Sequence, residues 1–175
     1  MDALAQNLTG VIVEMALKMG LSRAPLSLNY PCASLARMLG VPAGPQAVKA
    51  ALDAFFAART GLFGAVQVEA HEDGFCLTIP AEGVARVVSQ APAAAFLRDL
   101  IHTAQLPGAT AEDLLAAFRR HSSHVHVEPV DNDEFDWLVY FEDGVPDDFR
   151  YCIDTHDGFA SYHRFSREDY EAFGF

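Results

Sequence analysis

Positive charge is what this chain has least of. Its 175 residues carry 12 Lys and Arg against 24 Asp and Glu, a net charge of −12 at pH 7. Proteins that hold nucleic acid usually show the opposite balance, because neutralising phosphates supplies much of their affinity. Cysteine is scarce too. Cys32, Cys76 and Cys152 are far apart and odd in number, with no zinc or redox spacing, so they read as reduced thiols of a cytosolic protein. No apolar run of about 18 residues exists, so no membrane-spanning helix is expected. The first residues carry Asp2 and Glu14 and lack the basic start of a signal peptide. Gly-x-Ser-x-Gly is missing, and so is a glycine-rich phosphate loop with Lys before Ser or Thr. There is no internal repeat and no low-complexity linker.

What is present is enough to fold. The chain is 51% hydrophobic and 21% charged, which excludes a disordered chain and allows one domain or two small ones. The acid is unevenly placed. Residues 1–80 hold six acids and five bases, while residues 81–175 hold 18 acids against seven arginines, a net of −11. An acidic surface repels phosphate backbones and attracts basic partners.

Periodicity predicts the elements. Leu8, Val11, Ile12, Met15 and Met19 recur at helical spacing in a first helix over 2–20, ended by Gly20. Residues 21–31 read as a loop. Leu35, Met38 and Leu39 give one apolar helix face, and Gly40 stops that helix. Pro42 and Pro45 delay the next helix until Pro45 itself, after which Val48, Leu52, Phe55 and Phe56 form an apolar stripe to Ala58. Val66, Val68 and Ala70, then Phe75, Leu77 and Ile79, alternate with polar residues on either side of Asp73-Gly74, a hairpin signal. Helices are predicted over 81–88 and 93–105, and Pro107-Gly108 marks a domain boundary. Thr110 and Asp113 form a capping box for the next helix, whose apolar side is Leu114, Leu115 and Phe118. The period then becomes two. Four strands follow, over His124–Glu128, Phe135–Phe141, Phe149–Asp154 and Ser161–Phe165, with short turns that make an antiparallel meander. Ser166, with Asp169, caps a last short helix. Trp137, between Phe135 and Val139 at i−2 and i+2, is expected to be buried. The meander is apolar on both faces, and the first half of the chain is expected to cover the face that the helices leave, with a dimer mate or a ligand as the alternatives.

The order of a short helix, a turn, a second helix and a hairpin over 34–80 resembles the winged-helix superfamily over roughly the first 80 residues. The resemblance implies DNA binding with the helix 46–58 in the major groove. That helix offers only Gln46, Lys49 and Asp53 outward, and the hairpin tip His71-Glu72-Asp73-Gly74 is acidic where phosphate contact wants Lys or Arg. A dimer could gather Lys18, Arg23, Arg37 and Arg59. Winged helices also serve as protein-docking modules.

Other candidate chemistry is thin. His121, His124 and His126, with Asp131, Asp133 and Glu134 nearby, contain zinc-type ligands but lack a Cys and a His-Glu-x-x-His. No stoichiometric zinc is expected. The stretch 131–142 has acids at the first, third and twelfth positions of a calcium loop, but Phe135 and Asp136 stand at its fifth and sixth. Cys152 could meet His156 or His163, though its strand position suits a small apolar residue. The expectation is therefore an α+β protein: a winged-helix-like helical domain with a hairpin over 1–106, then a helix, a four-stranded antiparallel sheet and a short C-terminal helix over 107–175. No catalytic, cofactor-binding, nucleic-acid-binding or metal residue is assigned. The expected role is a non-catalytic, cytoplasmic, protein-binding or regulatory module with a basic partner and scope for self-association. A DNA-binding regulator with a ligand-sensing acidic half is the alternative, and a metal- or cysteine-dependent enzyme the third.

Overall fold

Helix α1 (Ala3–Met19) buries Leu4, Leu8, Ile12, Val13 and Ala16 along one side, while Met19 is exposed. The computed structural model describes residues 3–20, 24–130, 134–155 and 158–173. The fold is α+β, in two units: residues 1–91 and 92–175.

In the first unit, α1 is followed by β1 (Leu26–Pro31), α2 (Cys32–Leu39), α3 (Pro45–Ala57), α4 (Thr60–Phe63), β2 (Gln67–Ala70), β3 (Gly74–Ile79) and α5 (Ala81–Gln90). The local signals act as their chemistry dictates. Gly40 closes α2 in the left-handed conformation at φ 67°, and Pro45 sits in the first turn of α3. All four stripe residues of α3 are buried, and Phe55, Phe56 and Phe63 meet with ring centroids 5.0–6.1 Å apart.

The stretch expected to be a loop contains a strand. Leu26, Leu28 and Tyr30 alternate, and β1 pairs antiparallel with β3 from Leu26↔Ile79 to Pro31↔Gly74. The sheet order is β1-β3-β2, so β1 supplies the second neighbour that the hairpin strand β3 needs. Helix α4 was not foreseen; it carries the buried Phe63 into the aromatic group.

The second unit holds α6 (Ala94–Ala104), α7 (Ala111–His121), β4 (Val125–Pro129), β5 (Trp137–Phe141), β6 (Arg150–Asp154), β7 (Ser161–Phe165) and α8 (Arg167–Phe173). The Thr110–Asp113 capping box at the start of α7 is complete. The sheet is an antiparallel meander in the order β4-β5-β6-β7. Packing divides the chain at Ala91/Pro92, with α6 against α7 in the second unit. Phe96 on α6 contacts Phe118 at 4.9 Å, Phe141 at 4.9 Å and Tyr151 at 5.7 Å, fastening both helices to one sheet face.

On that face Val139, Phe141, Tyr151 and Ile153 are buried. Trp137 shares their side but is only half-buried, which corrects the expectation. The chain bends at Asp136, whose carboxylate accepts from the Thr155 backbone N–H at 2.8 Å and from its hydroxyl. The bend puts Phe135 on the opposite face, where it joins Leu138 and Cys152. Val130, Tyr140, Phe165 and Tyr170 pack against this second cluster, so α8 contributes Tyr170 to its cover.

Gly83 gives a sharp test of the first unit. A Cβ there would lie 2.0 Å from the Phe63 carbonyl oxygen, so α5 reaches α4 only because residue 83 has no side chain. Helix propensity alone favours Gly→Ala by about 1 kcal/mol. The backbone clash reverses that sign: Gly83→Ala is expected to destabilise the protein in urea unfolding, and a gain in stability would show that α5 does not approach α4 in this way.

Candidate functional site

The strongest electrostatic feature is a buried ion pair that links the segment before β6 to β7. The Asp147 side chain is 6% exposed and that of Arg164 1%. Arg164 donates from Nη2 to both Asp147 oxygens, at 3.1 and 2.9 Å, and from Nε to Oδ2 at 3.0 Å. The Tyr151 hydroxyl donates to Asp147 Oδ2 and accepts from Arg164 Nε at 2.9 Å. The guanidinium also lies 3.5 Å from the centroid of the Phe149 ring. The fork geometry satisfies both charges where water does not reach them. Nothing in the sequence marks this cluster, since Asp147 and Arg164 are 17 residues apart; they meet because a strand and a turn lie between them.

A second, more open group fastens α6 to α7. Asp99 accepts from Arg120 Nε and Nη2, each at 3.0 Å, and lies 3.1 Å from His121 Nε2. The Arg120 hydrogen bonds, then His121, hold the Asp99 carboxyl below its ordinary pKa. Asp99 is therefore ionised throughout the neutral range, and its contribution to stability is lost only as pH falls below that of an ordinary carboxyl.

The histidines singled out in the sequence do not converge. His121 belongs to Asp99. His124 Nδ1 lies 3.4 Å from Asp143, whose carboxyl is lowered first by the Val145 backbone N–H and then by this imidazole. His126 Nε2 lies 3.1 Å from Glu128, its Nδ1 3.9 Å from Glu142, and its ring stacks on Tyr140 at 4.6 Å. Arg150 approaches the same Tyr140 ring, 3.8 Å from its centroid. Glu134 is exposed, and Asp131 and Asp133 lie outside the described residues. Among the described residues no three His, Cys, Asp or Glu side chains gather as a metal would need.

These contacts do bring acids together. Strand β4 is an edge of its sheet. Along it and the adjoining end of β5, Glu128, Glu142 and Asp143 cluster around His124 and His126, each acid about half exposed. The unit around them is strongly acidic. Residues 92–175 carry 17 acids and six arginines, a net of −11, whereas residues 1–91 carry seven acids and six bases, a net of −1. Four of those six arginines pair with carboxylates of their own unit: Arg119 with Glu112, Arg120 with Asp99, Arg164 with Asp147 and Arg167 with Glu171.

Register places His163 opposite Cys152, but Cys152 is buried and burial pushes its thiol up to about 11. A nucleophilic cysteine needs the opposite shift, toward the thiolate. His156 lies outside the described residues. On α3, the one cation of the outward face is held by its neighbour, with Lys49 Nζ 2.6 Å from Asp53 Oδ2. Among the described residues, no helix is long and apolar enough to cross a membrane.

The chain belongs to the DUF3877 family, described as "Domain of unknown function, E. rectale Gene description", which it matches over residues 1–174. Comparison with curated proteins and with solved structures gave no match.

The buried pair predicts an asymmetry. Arg164→Ala leaves Asp147 charged and unpaired and is expected to cost about 3–5 kcal/mol in urea unfolding. Replacing both partners, Asp147→Leu with Arg164→Met, is expected to recover most of that loss. A double variant as unstable as the sum of its single variants would show that the two charges do not depend on each other.

Proposed function

We propose that the protein is a non-catalytic module that binds a basic protein partner along the acidic margin of its four-stranded sheet. The observation that carries this reading is the segregation of charge: −11 on residues 92–175 against −1 on residues 1–91, with most arginines of the acidic unit already paired inside it. Edge strand β4 adds an exposed backbone rim beside Glu128, Glu142 and Asp143. Such an arrangement steers a cationic partner toward the sheet and repels polyanions.

A second reading has a specific observation in its favour. The first unit runs α-β-α-α-β-β-α, the short α4 apart, with sheet order β1-β3-β2; the order as far as β3 resembles the winged-helix superfamily and suggests a DNA-binding regulator. Against it stand the Lys49–Asp53 pair on α3 and the acidic turn Glu72-Asp73. Fold order does not fix function, and winged helices also dock proteins.

The test uses a lysine-rich helical peptide and its glutamate-for-lysine counterpart, titrated into the full chain by isothermal calorimetry. The lysine peptide is expected to bind, and to weaken about tenfold or more when Glu128→Gln, Glu142→Gln and Asp143→Asn are combined, as charged hydrogen-bond partners are lost. Binding that is indifferent to these three changes would place the partner elsewhere and remove the proposal's site.

A further inference from the structure

We propose that the first unit carries a separate binding site, a groove at one end of its three-stranded sheet that accepts an organic ammonium group on a short apolar stem. The groove is open to solvent, has a volume of about 550 Å³, and is lined by Asn29, Tyr30 and Pro31 of β1 and by the residues His71 to Phe75 around the β2–β3 turn. Small-molecule sites run from about 300 to 1,000 Å³.

Its walls define the ligand. Tyr30, Pro31 and the buried Phe75 supply apolar surface, and the Tyr30 hydroxyl donates to Asn7 Oδ1 of α1 at 2.8 Å, which fixes the aromatic wall. Glu72 and Asp73 line the same groove, with Asn29 and His71 as further polar groups. The acidic turn is tied down by its backbone: His71 N–H donates to the Gly74 carbonyl at 2.8 Å, and Cys32 N–H to the Asp73 carbonyl at 3.2 Å. Among the described residues lining the groove there is no Lys or Arg. Two acidic residues and an anchored aromatic ring lining one groove favour a cation, through charge-assisted hydrogen bonds and the negative face of the ring. The apolar surface favours a methylene stem behind that charge. Because the unit as a whole carries only −1, the two acids here are a local feature and not part of a general acidic field. A free diamine and a lysine side chain of a protein share this chemistry.

The experiment titrates the full, isotope-labelled chain with cadaverine, with Nα-acetyl-lysine methylamide and with the neutral Nα-acetyl-norleucine methylamide, and follows the backbone amide signals. Saturable shifts are expected at Asn29, Tyr30 and His71–Phe75 with the two amines, and none with the norleucine compound. Tighter binding of cadaverine assigns the site to a free amine, and tighter binding of the lysine compound to a protein side chain. In Glu72→Gln/Asp73→Asn both amines are expected to weaken about tenfold or more. Glu72→Gln alone, at an exposed turn position, keeps the measurement open if the double variant misfolds. Absence of shifts in the groove, equal binding of the neutral compound, or amine shifts confined to residues 92–175 and unchanged in the variants would overturn the assignment. The last of these is simple counterion condensation on the acidic unit.

Discussion

A carboxylate and a guanidinium removed from water need each other, and the second unit is built around one such pair. Asp147 and Arg164 are both nearly inaccessible, joined by a forked set of hydrogen bonds and closed by Tyr151. Tyr151 belongs at once to this polar cluster and to the aromatic core, where it meets Phe96 and Phe118. Any strand register that moved Arg164 away from Asp147 would strand two charges in a low-dielectric interior, so the pair selects the register of β6 against β7 as well as the path of the chain before β6.

The same commitment shapes the surface. Arg164 is locked inside, and Arg119, Arg120 and Arg167 are each engaged by a neighbouring carboxylate. What the second unit shows to solvent is therefore mainly its remaining acid, gathered most visibly beside β4. The first unit differs in kind: near-neutral, with the outward cation of α3 answered by Asp53. Screening at physiological salt acts within about 8 Å, so what matters for a partner is this local arrangement and not the total of −12.

Much of the fold was legible because its signals are local. Gly40, Pro45 and the Thr110–Asp113 box each act within a few residues, and the stripe Val48, Leu52, Phe55 and Phe56 needs only the helical period. Strand β1 was hidden by Pro25 and Pro31 at its ends, which read as loop until β3 supplies a partner. The phase error at Trp137 has a single cause: Asp136 bends the chain to reach Thr155, and strict alternation from Phe135 fails there. The site was legible only as composition. Acids next to His124 and His126 could be read, but their actual neighbours include Glu142 and Asp143 from across the sheet, and a pairing between strands leaves no spacing in the sequence.

If charge placement governs what this chain binds, a net charge of −12 should keep it off duplex DNA. The direct measurement is a titration of labelled duplex, random in sequence, against the full chain at about 50 mM salt, where electrostatic attraction is strongest. No binding is expected up to about 10⁻⁴ M, the weak end of ordinary non-specific affinity. Micromolar binding that weakens steeply with added salt and disappears in Lys49→Glu would contradict it.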